Sequence, residues 1–218
     1  MAQTTHPLHV IGKYRFPDDR HLLAYLEERA ETITCTPTGL KYAMRHLSHA
    51  AYHRKWLYYA YYLVVENLDL VERVGILEGV LNCNLSQFSA IEVMGYAYRF
   101  GRNNSTKPLK NPRHIALWEA ALKHHHKNNH HYPQGQPGHN MQPHNLILSI
   151  LDMLASRMYR DLAGRVDSLV TDIFQLPDSL LERYTKSDRK KVEAYLQTWC
   201  AAVTSTPHRY NLALGWIA

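Results

Sequence analysis

A chain of 218 residues with 45 % hydrophobic residues is long enough for one sizeable folded domain with its own core. It has no run of about 18 uninterrupted apolar residues, so no membrane-spanning helix is expected. The net charge of +6 and pI of about 9.2 suit an anionic partner such as nucleic acid or a phosphorylated small molecule. That charge is spread over Arg45, Arg54, Lys55, Arg99, Arg102, Lys107, Lys110 and Arg113, with a further group at Lys186 to Lys191, rather than held in one basic tail.

The first residues, Met1 to Pro7, have neither the basic start nor the apolar core of a signal peptide, so a cytoplasmic or intracellular location is expected. Residues 1–17 read as a terminal extension. Asp18 or Asp19 then caps a short helix through Leu22, Leu23, Tyr25 and Leu26. Thr36-Pro37 opens a long helix with apolar residues from Leu40 through Leu63 to Val65. Its middle, Trp56 to Val65, is apolar or aromatic on all sides, as in a central bundle helix. Tyr58, Tyr59, Tyr61 and Tyr62 could stack on unpaired bases, but on such a helix they are more often core.

A third helix covers about Leu70 to Leu81, and Ser89-Ala90-Ile91-Glu92 reads as a capping box opening a fourth that stops at Gly101. A polar, basic loop runs from Arg102 to Lys110. Asn111 and Pro112 start the next helix, which leads into a histidine tract and then into the Gly/Pro-rich loop from Tyr132 to Gly138. Pro143 opens a strongly amphipathic helix with Leu146, Ile147, Ile150, Leu151, Leu154 and Met158 on its inner side, closed by Gly164. A short helix around Leu180 to Tyr184 and a longer one from about Asp188 to Val203 follow, with residues 205–218 as a second terminal extension. No segment alternates as a strand would, so the expected fold is all-α: a single helical bundle in one domain over 1–218.

The chemistry concentrates in His124-His125-His126-Lys127-Asn128-Asn129-His130-His131, five of the 15 histidines in eight residues. Neutral imidazole is a common ligand for zinc, iron and nickel, so such a cluster suggests a metal site. If the helix continues through the tract, His124 and Asn128 share one face and His131 follows a turn later. The same residues also fit a solvated helix end. His46, His49 and His53 recur on one face of the long helix, and Asp152 lies beside the apolar face of the Pro143 helix. A buried carboxylate there needs a metal, Arg157 or a histidine as partner. Cys35, Cys83 and Cys200 are odd in number and form no CxxC pair, so no disulfide framework is expected.

Several separated motifs occur together: Leu85-Ser86-Gln87-Phe88-Ser89, Glu92, Gly95-Tyr96-Ala97-Tyr98-Arg99-Phe100, His124, Asn128, His130-His131 and Asp152-Met153-Leu154-Ala155. Over roughly Leu40 to Trp199 this resembles the helical domain-of-unknown-function family numbered 5662, found in bacterial viruses, giant viruses and bacteria. The motif order is in turn similar to HD-type metal phosphohydrolases, in which a His-Asp pair and flanking histidines hold one or two metal ions that acidify a bound water.

The resemblance implies an HD-like bundle, possession of a divalent transition metal (Zn, Fe, Mn or Ni), and a nucleotide or other phosphoester as substrate or ligand. It implies His53, His124, His130 or His131, and Asp152 as metal ligands, and Arg99, Lys127 or Arg157 as phosphate contacts. Where the family has His-Asp, however, this chain has Cys83-Asn84, and Gln87 replaces a lysine. Cys83 can ligate zinc as thiolate, whereas Asn84 cannot bridge two cations. The expectation is therefore an altered or degenerate metal phosphohydrolase. The alternative is a non-catalytic binding or structural protein, viral in origin, that engages nucleic acid or a protein through its basic surface.

Overall fold

The fold is all-α, as the 3.6-residue period of the apolar positions requires. The computed structural model describes residues 37–102, 107–133, 140–161 and 170–206, with two short strands near the N-terminus. The helices are α1 (Pro37–Val64), α2 (Leu70–Asn82), α3 (Ala90–Phe100), α4 (Pro112–Asn128), α5 (Pro143–Asp161), α6 (Val170–Ile173), α7 (Asp178–Leu181) and α8 (Lys186–Ser205). Single 3-10 turns occupy Val65–Asn67 and Leu85–Phe88. Strand β1 (Val10–Ile11) pairs antiparallel with β2 (Tyr14–Arg15), Val10 opposite Arg15 and Ile11 opposite Tyr14, within a segment expected to be a plain extension. The expected helix after Asp18 or Asp19 and the stop at Gly164 lie outside the described residues.

The chain divides into two compact units, residues 1–50 with 85–128, and residues 51–84 with 129–218. In the second unit, α5 forms the centre of the core. Leu146, Ile147, Ile150, Leu151, Leu154 and Met158 are all buried, at spacings that place them on one side of a helix. Leu57, Leu63 and Val64 of α1, Ile76 and Val80 of α2, and Val192, Leu196, Trp199 and Val203 of α8 complete the same cluster. Each such side chain contributes about 1.5–3 kcal/mol by leaving water. Tyr59 is buried here and Tyr61 and Tyr62 pack against the cluster, while Tyr58 is partly exposed. Three of the four tyrosines thus serve packing. The Tyr61 hydroxyl donates to the carbonyl of Arg73 at 3.1 Å, which satisfies its polar end.

Caps set the helix starts. Asp69 accepts from the Glu72 N–H at 2.8 Å and Glu72 accepts from the Asp69 N–H at 3.1 Å, a reciprocal capping box at the start of α2. The box expected at Ser89–Glu92 does not form: Ser89 is the N-cap by backbone conformation but makes no side-chain cap bond. Glu92 is instead fully buried and bonded to histidines of α4, a stronger, charge-assisted arrangement than a solvated cap. At the start of α8, Thr185 accepts from the Asp188 N–H at 3.1 Å, and the Asp188 carboxylate turns inward to accept from the Met141 N–H at 2.7 Å. Asp188 is therefore in the first turn of α8 rather than at its edge. The short helix expected around Leu180 to Tyr184 begins earlier, at Asp178, behind Pro177.

In the first unit, α3 and α4 touch through their backbones at Gly95. A Cβ there would lie 2.4 Å from the Ala121 Cβ and 2.5 Å from the Leu117 carbonyl oxygen, so only glycine fits. Replacing Gly95 with Ala should improve helix propensity by about 1 kcal/mol but add overpacking of about 1–3 kcal/mol. The expected net result is a melting temperature several degrees lower by circular dichroism; an unchanged or raised value would mean that α3 and α4 do not meet this closely.

Candidate metal centre

Helix α2 ends at Cys83, whose N–H donates to the Gly79 carbonyl at 2.7 Å. Asn84 follows with φ of 57°, a left-handed conformation that asparagine tolerates and that commonly terminates helices. Arg54 of α1 donates to the carbonyls of Cys83 and, at 2.9 Å, Leu81, neutralising the negative end of α2. The turn at Asn84 aims its side chain at α5: Nδ2 donates to Asp152 Oδ1 at 2.7 Å, while its backbone N–H donates to Asn129 Oδ1 at 3.0 Å. Asn129 is in turn two residues before His131.

These contacts bring Cys83, His131 and Asp152 together in the second unit, with one ligand atom from each within 4.8 Å of the others. Cys83 Sγ lies 3.4 Å from His131 Nε2 and 4.0 Å from Asp152 Oδ1, and His131 Nε2 lies 4.0 Å from the same oxygen. A tetrahedral zinc ion separates thiolate, imidazole and carboxylate ligands by about 3.3–3.6 Å, given its usual bond lengths. The sulfur–nitrogen edge at 3.4 Å already has that spacing, while the two edges to Asp152 at 4.0 Å are longer than a bound ion would make them. The sulfur, nitrogen and oxygen donor set fits a borderline-soft divalent ion and could hold one. Beside it, Asn84 Oδ1 is buried without a hydrogen-bond partner among the described residues.

His53 stands behind the carboxylate, with Nε2 2.8 Å from Asp152 Oδ1. Of the partners that the sequence leaves open for Asp152, the structure therefore supplies a histidine; Arg157 donates to the Gln175 carbonyl instead. Burial alone would raise the Asp152 pKa, but the charge and hydrogen bond of His53, the charge of His131 and the Asn84 amide hold it well below the usual carboxylate range. Asp152 is thus an anion poised to meet a cation. The Cys83 thiol is pushed well up, first by burial and then by the Asp152 charge, with Arg54 pulling weakly the other way. It stays protonated until an ion displaces its proton.

The remaining histidines go elsewhere. His130 is exposed, and His124 belongs to the first unit, where its Nδ1 meets Glu92 Oε1 at 2.6 Å. His125 Nδ1 meets Glu92 Oε2 at 2.9 Å. Helix α4 stops at Asn128, whose side chain folds back onto the His124 carbonyl at 2.7 Å, so the helix does not carry on to His131. Burial raises the Glu92 pKa, but the two histidine hydrogen bonds outweigh it and the net shift is downward. His46 is buried, stacked on Tyr96 with centroids 5.0 Å apart, and its Nε2–H donates to the Gln87 carbonyl at 3.3 Å. His49 is exposed, Lys127 is exposed, and Arg99 lies over the Phe100 ring at 5.1 Å. Sequence reasoning passed over Arg54, Asn129 and His125; of the supporting cast only Asn84 carried a local signal, as an asparagine directly after a helix.

The fold and this donor set define an all-α protein with a side-chain cluster that could hold a metal ion, and no described helix is long and apolar enough to cross a membrane. Comparison of the chain with protein-family models, with curated proteins and with solved structures gives no match.

Burial lowers the His46 pKa from 6.5 to about 4, against weaker upward pulls from Gln87 and Glu92. The unfolded chain binds a proton below pH 6.5 while folded His46 does not, so this residue costs no stability above that pH. Stability falls as pH drops from 6.5 towards 4, by about 3 kcal/mol in all. His46→Gln keeps an N–H for the Gln87 carbonyl and should flatten that part of the stability profile in urea melts; an identical slope in both proteins would exclude a buried neutral His46.

Proposed function

We propose that the chain is a single-metal protein related in layout to HD-type phosphohydrolases, with its centre at Cys83, His131 and Asp152 and a phosphoester as its substrate class. The convergence of these three ligand atoms within 4.8 Å is the observation that carries the reading. Zinc best matches the donors, because thiolate disfavours manganese and the harder ions. A bound divalent ion with an open position supplies a Lewis acid and lowers the pKa of coordinated water.

The chain's own residues prepare that chemistry. His53 and Asn84 hold the Asp152 carboxylate in one orientation, as outer hydrogen-bond partners do for metal ligands generally. Arg54, anchored to the last turn of α2, lowers the cost of a thiolate at Cys83. Asn84 stands where the resembled family has aspartate, and as a neutral hydrogen-bond donor to Asp152 it favours one cation over a bridged pair.

Untagged protein analysed by inductively coupled plasma mass spectrometry should carry close to one equivalent of zinc or a similar ion. Cys83→Ser, His131→Ala and Asp152→Ala should each lower occupancy at least about tenfold, in keeping with loss of a ligand. His130→Ala and His124→Ala should leave it intact. Less than about a tenth of an equivalent in the parent protein after incubation with zinc would overturn the metal reading.

A further inference from the structure

A cleft of about 550 Å³ in the first unit lies between the end of α3 and the start of α4, lined by Tyr98, Arg102, Lys107, Lys110, Asn111 and His114 among others. Its volume is in the range of small-molecule sites. Among the described residues its lining gathers three permanent cations and no aspartate or glutamate. The Arg102 guanidinium makes one long bond, from Nη1 to the Pro108 carbonyl at 3.4 Å. Its Nε and Nη2 are buried without a hydrogen-bond partner among the described residues. Buried guanidinium N–H groups are rarely left unsatisfied, because their desolvation is uncompensated.

The backbone explains why Arg102 is held there. Gly101 packs so closely on α1 that a Cβ would sit 2.3 Å from the Tyr42 carbonyl oxygen, and the chain leaves α3 at that contact. On the other side of the cleft, Asn111 caps the 17-residue helix α4, its Oδ1 accepting from the Arg113 N–H at 2.9 Å. The positive end of α4 therefore adds to the three side chains. His114 is held below its ordinary pKa, first by burial and then by the charges of Arg113 and Arg102, consistent with an excess of positive charge. Tyr98 and His114 stack at 3.7 Å and 12°, giving the cleft a flat, rigid wall.

We propose that this cleft binds the phosphate group of a small organic phosphomonoester, with Arg102 as the principal contact and Lys107 and Lys110 as supporting charges. Phosphate presents several acceptor oxygens, which match the two unused guanidinium positions, and its double charge matches the surplus of cations. The proposal is independent of the metal centre, whose ligands all belong to the other unit.

Full-length protein titrated with inorganic phosphate, adenosine 5′-monophosphate and adenosine, followed by calorimetry, tests it. The two phosphates should bind saturably with Kd below about 1 mM, and adenosine should not. Arg102→Gln, and separately the exposed Lys110→Gln, should weaken binding at least about tenfold with an unchanged circular dichroism spectrum, while Lys123→Gln, outside the cleft, should not. Protein stripped of metal with a chelator should keep this Arg102-dependent phosphate binding, which separates the cleft from the fate of the metal reading. Absence of saturable phosphate binding up to about 10 mM, or binding indifferent to both cleft variants, would overturn the proposal. So would tighter binding of a single-stranded oligonucleotide through the same residues with a steep salt dependence, which would assign the cleft to nucleic acid.

Discussion

A carboxylate removed from water must find its compensation inside the fold, and each of the two units is arranged around one. Glu92 on α3 and Asp152 on α5 are both met by imidazoles, yet the two solutions differ in a way that decides their chemistry. Both oxygens of Glu92 are taken by histidine Nδ1 atoms at 2.6 and 2.9 Å, and the residue has no exposed surface. Nothing is left for an ion to satisfy. Asp152 Oδ1 takes His53 and Asn84 at hydrogen-bond distance, and Cys83 and His131 stand 4.0 Å from the same oxygen, close enough to share an ion with it. The fully buried Glu92 thus sits in a closed structural arrangement in one unit, and the partly exposed Asp152 beside an open donor set in the other.

Cys83 and Asn84, adjacent in sequence, have separate tasks. Cys83 offers a soft sulfur as a potential ligand. Asn84, without charge, has two positional tasks: its left-handed backbone ends α2, and its amide steadies Asp152. An aspartate at 84 would bring a second negative charge against Asp152, tolerable only with a second cation. The Arg54 contacts to the Cys83 and Leu81 carbonyls anchor the segment that carries both residues.

Positive charge is handled by the same logic with opposite sign. The basic residues look dispersed along the chain, but Arg102, Lys107 and Lys110 line one cleft, with Gly101 packed on α1 before Arg102 and Asn111 capping α4 after Lys110. Unspent N–H groups on Arg102 mark that cleft as distinct from an ordinary solvated basic surface. Tyr59, Tyr61 and Tyr62, by contrast, spend their rings on the core, as their place on an all-round apolar helix led one to expect.

Helix type and inner faces were legible from residue order alone. The spacing of Leu146, Ile147, Ile150, Leu151, Leu154 and Met158 marks a buried helix face, and Pro37, Pro112 and Pro143 mark helix starts, because periodicity and first-turn chemistry act within a few residues. Asp152 as a charge needing a partner, and Cys83 as a side chain that could ligate a metal, were legible too. The partners were not. His53 and Asp152 are 99 residues apart, and Cys83 and His131 are 48 apart. The Ser89–Glu92 pattern spelled a local cap, yet Glu92 went to His124 and His125, since a buried charge-assisted pair outweighs a solvent-exposed capping bond. The histidine tract likewise read as one cluster, but α4 ends inside it at Asn128, with His124 and His125 bonded to Glu92, His130 exposed, and His131 beside Cys83 and Asp152. Short-range rules determine elements; which ligands meet is decided by long-range packing that no local spacing encodes.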